Sequence, residues 1–447
     1  MSTPLPRGDL WVRGGTVVRA DRVEPADVLV LGGRTQQVAR RVDAPLGCPV
    51  LDARGKLVFP GLIDTQVHFR EPGLEYKEDL ESGALAAIAG GITAFCEMPN
   101  TKPATTDPMR LVDKLRRAGG RCRADHAFFL GATAENADRL GEWEGLPGCA
   151  GVKVFMGSST GDLLVEDDNT LERVLRSGRR RVAVHAEDEP RLRDRKALAQ
   201  GGTASVRIHP EVRDVETAVR ATRRLLDLAE RTQRRVHVLH VSTAEEMELL
   251  RARRLGELVT VEVTPNHLFL AAPECYDVHG SHAQMNPPVR DRRHQDALRQ
   301  AVADGVVSCI GSDHAPHTKE EKARSYPDTP SGIPGVQTSL ALLLTAVRDG
   351  WLGLTDIVRL LCTGPIGVYR IAGKGALEPG TDGDLVLVDP DRRGPLPLGE
   401  LRSKVGWSPF AGVELAGWPV CTVLRGEVTY RDAAPVGAPW GAPLRFD

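Results

Sequence analysis

Side chains able to bind a metal ion lie close together directly after an apolar segment near the start of the chain. Gln66 and His68 follow the run Leu57–Ile63, within the sequence Asp64-Thr-Gln-Val-His-Phe-Arg70. Side chains two residues apart on a β-strand point to the same face, so Gln66 and His68 are predicted to face one site. A neutral imidazole beside a second donor at this spacing can hold a divalent metal.

Further polar residues occur where other apolar, β-rich segments end. Those with the chemistry of a metal or substrate site are Asn100, Lys153, His185, His240, Asn266, His267, Asp313, His314 and His317. Imidazoles and a carboxylate suit zinc or a similar divalent metal. A single histidine in a strand is usually a core residue whose hydrogen bonds are made within the protein. Several such groups at the same ends of neighbouring strands favour a functional site instead.

Lys153, in the segment Gly151–Gly157, would be repelled by a metal ion if it were protonated. Burial and a nearby metal charge favour its neutral amine. A neutral amine can react with carbon dioxide to form a carbamate, whose two oxygens could bridge two metals. The alternative is an ordinary lysine whose ammonium extends from the strand end toward solvent.

Eight strand-like segments alternate with helical patterns and are predicted to position these side chains. The strand-like segments are Leu62–Phe69, Ile92–Met98, His126–Leu130, Gly151–Met156, Val182–His185, Val236–Val241, Val259–Val263 and Val306–Ile310. The helix-like segments include Leu80–Ala89, Pro108–Ala118, Ala134–Arg139, Thr170–Leu175, Val215–Thr232, Ala244–Leu255 and Asp296–Ala303. This alternation predicts parallel strands closed into a (β/α)₈ barrel. An open doubly wound sheet is the alternative, but no Gly-x-Gly-x-x-Gly sequence opens the first helix.

The two ends of the chain have a different pattern, with short strand-like pieces separated by glycine. Residues 1–57 and 375–447 are therefore expected to pair into one small β-sandwich domain, beside a barrel domain formed by residues 58–374. The tail after Ala433 is rich in Pro, Gly and Ala and is predicted to be extended.

The composition argues against several classes of function. With a net charge of −2, the chain has no excess of positive charge that would favour binding to nucleic acid or a membrane surface. The eight cysteines include no Cys-x-x-Cys pair, which favours reduced thiols. The sequence shows neither a signal peptide nor an apolar run of the roughly 18 residues that span a membrane. A soluble, cytoplasmic protein is expected.

Several of these segments resemble motifs of the dihydroorotases, members of the cyclic amidohydrolase superfamily. The matching motifs are Asp64–Gly73, Glu97–Asn100, His240–Ser242, Met285–Pro288, Gly311–His317, Gly375–Gly380 and Ser408–Phe410. The resemblance extends from about Gly14 to Tyr430. It implies a distorted (β/α)₈ barrel with a β-sandwich formed by both termini, in agreement with the pattern of elements.

By this resemblance, the chain would bind one or two zinc ions. His68 and Asp313 would hold the first metal, and a carboxylated Lys153 would bridge to a second metal held by His185 and His240.

The departure from the family pattern is Gln66, which stands where another histidine is usual. Its amide oxygen can still coordinate, but it is neutral and a weaker zinc ligand than imidazole. Alternatively, Gln66 could hydrogen-bond a neighbour.

The resemblance also implies a substrate site. Arg70, Asn100 and His317 would bind a substrate carboxylate, for which a planar guanidinium is suited. Asn286 would hydrogen-bond a pyrimidine ring, and Ser331-Gly332 would contact it through backbone groups. The positions of His267 and His314 are consistent with either pocket lining or structural support. His237 is predicted to point away from His240 on a regular strand and is not expected to be a ligand.

The implied activity is metal-assisted hydrolysis of a cyclic amide and its reversal, with Asp313 moving the proton. In the biosynthetic direction, N-carbamoyl-L-aspartate would close to L-dihydroorotate in pyrimidine synthesis. The alternatives are an allantoinase, a hydantoinase or dihydropyrimidinase, or a non-catalytic partner of aspartate carbamoyltransferase. A homodimer is a further expectation.

Overall fold

The computed structural model describes residues 8–157, 163–199, 205–253 and 255–447. Two sheets organise this part of the chain. In chain order the strands are β1 Leu10–Val18, β2 Val23–Leu31, β3 Arg34–Ala39, β4 Val50–Asp52, β5 Leu57–Pro60, β6 Leu62–Val67, β7 Ile92–Glu97, β8 Asp125–Gly131, β9 Cys149–Phe155, β10 Val182–His185, β11 Val236–Val238, β12 Val259–Val263, β13 Cys309–Ile310, β14 Leu385–Pro395, β15 Glu414–Leu424, β16 Glu427–Arg431 and β17 Ala434–Pro435.

Helices follow most of the central strands. They are α1 Leu80–Ala89, α2 Pro108–Ala118, α3 Leu140–Trp143, α4 Asp168–Arg176, α5 Glu189–Arg195, α6 His209–Val212, α7 Val215–Thr232, α8 Ala244–Arg253, α9 Pro265–Phe269, α10 Glu274–His279, α11 Arg292–Ala303, α12 Lys319–Lys322, α13 Ser339–Arg348, α14 Leu354–Val358 and α15 Gly364–Tyr369. Short 3₁₀ segments include Ala137–Arg139, and a π-helical turn, Arg359–Thr363, joins α14 to α15.

The central strands form the predicted barrel. Strands β6 to β13 pair in sequence order, and each of these pairings is parallel. A parallel bridge between Val67 and His314 brings the end of the last strand back to the first. The carboxyl ends of all eight strands therefore meet at one rim, where active sites of this fold lie.

Alternate residues of the barrel strands point into the barrel or outward to the helices. Ala94, Cys96, Ala127 and Ala183 belong to the interior cluster, whereas their neighbours pack against the helical layer. Asp residues cap many of the helices that follow strands. Asp79, for example, accepts from the backbone N–H of Ser82 at the start of α1. These caps set where each helix leaves the rim.

Both ends of the chain join one second sheet, which confirms the predicted architecture. Its strand order is β17-β16-β15-β14-β5-β1-β2-β3, with β4 paired to β1. Strand β5 joins the two halves because it pairs with β1 on one side and β14 on the other. The extended C-terminal tail then crosses the amino end of the barrel, where the backbone N–H of Leu444 donates to His126.

Several elements are shorter than the sequence pattern predicts. Strand β11 ends at Val238 and not at Val241, because His240 has a φ of 37°, which is incompatible with a strand. Strand β13 contains only Cys309–Ile310. Helix α8 is described to Arg253, and Arg254 within the predicted segment lies outside the described residues. No helix among the described residues is long and apolar enough to span a membrane.

Candidate active site

The structure brings all of the residues predicted to bind metal or substrate or to move the proton to one cavity at the carboxyl rim of the barrel. This cavity has a volume of about 210 Å³. Its lining includes Gln66, His68, Arg70, Asn100, Lys153, His185, His240, Asn286, Asp313, His317, Ser331 and Gly332. Three of these residues, Arg70, Asn100 and His317, also line a larger outer cavity of about 1150 Å³. The site is thus small, polar and reached from the outside past the predicted carboxylate-binding residues.

One half of the cavity is built around the carboxylate of Asp313. His68 Nδ1 donates to Asn100 Oδ1 at 2.7 Å, which leaves the lone pair of His68 Nε2 facing Asp313 Oδ1 at 3.2 Å. Two acceptors at this distance repel each other unless a cation or proton lies between them. Gln66 Nε2 donates to the same Asp313 oxygen at 2.9 Å, and its buried Oε1 has no hydrogen-bond partner among the described residues.

The other half of the cavity contains two histidines. His185 Nδ1 lies 3.1 Å from His240 Nε2, and His185 Nε2 donates to Glu187 Oε2 at 2.8 Å. Burial lowers the pKa of both imidazoles, so each is neutral and has a lone pair available for a metal. Two nitrogens bound to one tetrahedral zinc would lie about 3.3 Å apart, close to the spacing observed.

Glu187 is oriented in turn by Arg213. The Arg213 guanidinium donates to both carboxylate oxygens of Glu187. Burial raises the pKa of Glu187, but the charges and hydrogen bonds of Arg213 and His185 together outweigh burial and hold the pKa well below its usual range. A histidine held by a carboxylate in this way is typical of a metal ligand.

Lys153 lies between the two halves and is buried. Its amine makes no hydrogen bond or ion pair with any described residue, and it lies 4.4 Å from the centroid of the Phe155 ring. Burial lowers the pKa of Lys153 to about 7, which makes the neutral amine accessible near neutral pH. This environment differs from that of a lysine whose ammonium reaches solvent.

A cluster of cationic groups lies at the entrance to the cavity. Arg70, 7% exposed, donates to the carbonyl of Pro316 and lies 3.2 Å from His317 Nε2. Among the described residues no carboxylate forms an ion pair with Arg70. Burial lowers the pKa of Arg70 to about 10, so the guanidinium remains charged near neutral pH. Lys77 Nζ lies 3.0 Å from His317 Nδ1, and burial lowers the pKa of His317 to about 3. The imidazole is therefore neutral beside the charged Arg70, whereas Lys77 is paired with Glu321.

The loops opposite these cations are held by internal hydrogen bonds. His209 Nε2 donates to Asn286 Oδ1 at 3.0 Å, so the Asn286 amide hydrogens are free to face a ligand. Gly332 donates its backbone N–H to Gln284, and its carbonyl accepts from Lys322. A Cβ at Gly332 would lie 2.3 Å from the carbonyl oxygen of Ala315, so this position requires glycine.

Three residues of the site have backbone conformations that L-residues seldom adopt. The φ angles are 67° at Arg70, 37° at His240 and 48° at Asp313. Such conformations cost on the order of 1–3 kcal/mol each and occur most often at functional sites. Here they turn the side chains of three different strand ends into the same cavity.

The two histidines whose role the sequence left open provide structural support. His267 Nε2 contacts the carbonyl of Pro287, and His314 Nδ1 accepts from the backbone N–H groups of Gly335 and Val336. Neither lines the cavity. Asn266 is buried as well and does not line it.

The sequence reasoning missed the groups that hold the cavity residues in place. Examples are Lys77, Glu187, His209 and Lys322. Each contacts a site residue, but the pattern of strands and helices does not place the two side chains together. Only Glu187 had a local signal, since it follows His185 by two residues.

The sequence predicts that His237 points away from His240 on a regular strand. In the structure β11 ends before His240, and His237 is buried in the barrel interior beneath the site.

These features define a class of protein. A parallel barrel presents neutral histidines, a carboxylate and a buried lysine at its carboxyl rim, beside the Arg70 guanidinium, which forms no ion pair with a described residue. This is the arrangement of a metal-dependent barrel hydrolase that acts on an anionic substrate.

Comparison with known proteins agrees with this class. The model of the Amidohydrolase family matches residues 57–429. Dihydroorotase from Methanosarcina acetivorans is 35% identical over 436 residues, covering 95% of this chain and 92% of that protein. Dihydroorotase from Trichlorobacter lovleyi is 32% identical and covers 94% and 99%, respectively.

Solved structures of similar fold are cyclic amidases. The L-hydantoinase (dihydropyrimidinase) from Arthrobacter aurescens superposes with a TM-score of 0.92 at 27% identity, over 98% of this chain and 100% of that one. Dihydropyrimidinase from Brevibacillus agri gives a TM-score of 0.87 at 27% identity, with 97% of both chains covered. The chain belongs to the Amidohydrolase family, and within it to the dihydroorotases.

Proposed function

We propose that this protein catalyses the reversible ring closure of N-carbamoyl-L-aspartate to L-dihydroorotate and water, a step of pyrimidine (UMP) synthesis. The sequence relatives support this reaction, because those described above are dihydroorotases along almost their full length. Hydrolysis of dihydroorotate by the same site provides the convenient assay.

The observation that carries the proposal is the buried Arg70 guanidinium, which has no carboxylate partner within the described part of the chain. A buried charge is costly unless it is paired, so this side chain favours an anionic ligand. Asn100 and His317 line the same part of the cavity and can add hydrogen bonds. Dihydroorotate has a carboxylate, whereas hydantoin and dihydropyrimidine rings lack one.

The cavity also has the donors that a zinc ion requires. His185, His240 and a carbamate on Lys153 would hold one ion, and His68 and Asp313 would hold another. The facing nitrogens of His185 and His240, the opposed acceptors of His68 and Asp313, and the Lys153 amine without a partner among the described residues support this assignment. When bound, zinc would supply the Lewis acidity that activates water and polarises the amide carbonyl.

We propose that Gln66 acts chiefly as a hydrogen-bond donor to Asp313. Its amide nitrogen lies 2.9 Å from Asp313 Oδ1, an oxygen that the metal of the His68 and Asp313 half-site would otherwise use. A neutral amide cannot replace the ligand strength of imidazole. The half-site of His68 and Asp313 is therefore expected to bind zinc more weakly than the half-site of His185 and His240.

The protein's own groups would then bind the substrate and move the proton. Arg70 and Asn100 hold the substrate carboxylate, and the Asn286 amide donates to the ring. In hydrolysis Asp313 accepts a proton from the attacking water and delivers it to the amide nitrogen as the ring C–N bond breaks. Ring closure follows the same path in reverse.

Purified protein assayed on three substrates tests the function. It is expected to hydrolyse dihydroorotate, to show little activity on hydantoin or allantoin, to lose activity with a chelator and to regain it with zinc. A protein inactive with zinc that instead binds aspartate carbamoyltransferase would overturn the proposal in favour of the non-catalytic partner. Preferred hydrolysis of allantoin would assign the site to that substrate.

Substitution Arg70→Lys is expected to raise KM for dihydroorotate by about 10- to 100-fold with a smaller change in kcat. Lysine keeps the charge but loses the two-pronged contact to a carboxylate, and a charged hydrogen bond is worth roughly 1.5–3 kcal/mol. Steady-state kinetics measures the effect. Arg110→Lys is the matched control because Arg110 lines only the outer cavity. An unchanged KM in Arg70→Lys would remove Arg70 from the carboxylate site.

Substitution Gln66→His is expected to increase the zinc retained per chain after dialysis, as measured by elemental analysis. The added imidazole completes the half-site of His68 and Asp313 with a stronger ligand. Gln66→Leu is the control of similar size, and it is expected to retain as much zinc as the parent protein. Loss of zinc in Gln66→Leu would show instead that Gln66 coordinates the metal.

The cellular compartment and the oligomeric state are also proposals. We place the enzyme in the cytoplasm as a homodimer, with aspartate carbamoyltransferase as a candidate partner. The described cysteines are all free thiols, which agrees with a reducing compartment.

A further inference from the structure

A polar cluster lies inside the barrel, beneath the proposed active site. His237, Glu262 and Cys309 come from the neighbouring strands β11, β12 and β13, and all three side chains are buried. Barrel interiors are ordinarily filled by packed apolar side chains. Much of this interior follows that rule, with residues such as Ala94, Phe129 and Leu239.

We propose that His237, Glu262 and Cys309 form a further metal site, suited to zinc, that is separate from the catalytic centre. Nitrogen, oxygen and thiolate sulfur are the three donor types that zinc accepts in proteins.

The spacing of the three donor atoms fits one tetrahedral ion. His237 Nε2 lies 3.4 Å from Glu262 Oε2 and 3.6 Å from Cys309 Sγ, and the sulfur lies 3.8 Å from Glu262 Oε2. Tetrahedral zinc places nitrogen and oxygen ligands about 3.3 Å apart, and sulfur about 3.6 Å from either of them. The observed triangle is thus close to that of a bound ion, with no need for a backbone movement.

Neighbouring side chains aim the donors into the triangle. Thr260 Oγ1 lies 2.7 Å from His237 Nδ1, which holds that nitrogen in a hydrogen bond and leaves Nε2 facing Glu262 and Cys309. Thr65 donates to Glu262 Oε2 at 2.7 Å. The other oxygen of Glu262 is buried and has no partner among the described residues.

The charge balance also favours a cation here. In the described part of the chain, the ion-pair contact of Glu262 is with His237, whose pKa burial lowers, so the imidazole is neutral. No lysine or arginine among the described residues forms an ion pair with Glu262. Lys153 experiences its charge without pairing to it. The carboxylate is therefore buried without a counter-charge, which is unfavourable unless a cation is bound.

A second acidic cluster in the structure shows the contrast. Asp125, Asp382 and Asp384 also lie close enough together to hold a metal, but Lys374 pairs with all three and Arg425 pairs with Asp125. Protein cations already occupy that cluster. The cluster of Glu262 has no such cation.

A bound ion would have a structural role. Strands β12 and β13 are joined at only two register pairs, Glu262 with Cys309 and Val263 with Ile310. An ion shared by β11, β12 and β13 would hold β13, the shortest of the barrel strands, against its neighbours. Because the site is buried, the ion would enter while the chain folds.

Cobalt provides a selective test, because the proposed catalytic ligands include no cysteine. The full-length protein is produced in cobalt-supplemented medium, and the near-ultraviolet absorption of a cobalt–thiolate bond is measured. The band is expected in the parent protein, absent in Cys309→Ser and retained in Cys96→Ser, the matched control from the same interior cluster.

Two results would overturn the inference. One is a parent protein without the thiolate band, and the other is a band that persists in Cys309→Ser. Should Cys309→Ser fail to fold, X-ray absorption on the zinc-loaded parent decides, since only this site would place sulfur about 2.3 Å from zinc. Absence of that sulfur signal would reject the site and leave the proposed catalytic function unaffected.

Discussion

Replacement of Asp313 by asparagine is expected to lower kcat for dihydroorotate hydrolysis by about 10²- to 10⁴-fold, the usual contribution of a general acid–base group. Asparagine keeps the volume of the side chain and an oxygen that can accept from Gln66, so the protein should fold. It cannot take a proton from water or return one to the amide nitrogen. The measurement is kcat at saturating substrate and zinc, with the zinc content of each sample determined in parallel.

The control for this prediction is Asp64→Asn. Asp64 is buried near the same strand end but does not line the cavity, and its Oδ1 accepts from the backbone N–H groups of Gln66 and Ser312. Burial raises the pKa of Asp64 to about 7, so a neutral amide resembles the form it already populates. Asp64→Asn should keep most of its activity. Retention of more than about a tenth of kcat in zinc-loaded Asp313→Asn would exclude the proton-transfer role.

The sequence predicts the barrel well because its evidence is local and repeated. Each strand shows an apolar run, and helices such as α2, α4, α7 and α11 show an amphipathic one, so the order of elements follows from chain order alone. Helices α1, α2 and α7 begin and end where the pattern places them. The polar residues at strand ends then converge, because parallel strands place all their carboxyl ends at one rim.

The parts that the sequence could not predict depend on irregular backbone and distant partners. The sequence predicts a regular strand through His240, but the positive φ of that residue ends β11 at Val238. The polar interior of His237, Glu262 and Cys309 was consequently missed. The hydrogen bond from Gln66 to Asp313 joins residues 247 positions apart, so only the folded structure could distinguish it from metal coordination.

The division into domains is a proposal that the structure refines. We propose a barrel of residues 58–374 and a sandwich formed by the flanking segments 1–57 and 375–447, of which residues 1–7 lie outside the described chain. A buried ionic cluster joins the two parts. Asp125 starts barrel strand β8, whereas Asp384 and Arg425 belong to the sandwich side, and Lys374 stands at the proposed boundary.

Substitution Lys374→Met is expected to lower the free energy of unfolding by about 3–5 kcal/mol, the usual cost of removing one partner from a buried ion pair. Lys374 Nζ lies 2.8 Å from Asp382 and 2.6 Å from Asp384, and it also pairs with Asp125. Without the ammonium, the three buried carboxylates would keep only Arg425, which pairs with Asp125, and the partly exposed Arg34, which pairs with Asp382. Urea unfolding followed by fluorescence, compared at several pH values, measures the loss.

The pH dependence gives this prediction a distinct signature. Burial raises the pKa of Asp125, but the charges of Lys374 and Arg425 outweigh burial and lower the pKa to about 2. A carboxylate with a lowered folded pKa contributes stability above its unfolded pKa of about 3.9 and loses it as the pH falls toward 2. The difference between parent and Lys374→Met should therefore be largest near and above neutrality. It should shrink as the pH falls, because buried carboxylates left without the ammonium have higher pKa values and take up protons before those of the parent.

The matched control is Lys56→Met, which removes a lysine from a partly exposed pair within the sandwich sheet. Lys56 Nζ lies 3.0 Å from Asp389, and the two side chains are 31% and 28% exposed. Solvent screens such a pair, so its loss should cost no more than about 1 kcal/mol. Equal effects of the two substitutions would contradict a stabilising role for the buried cluster. A large effect of Lys374→Met alone would show that the barrel and the sandwich depend on one shared set of charges.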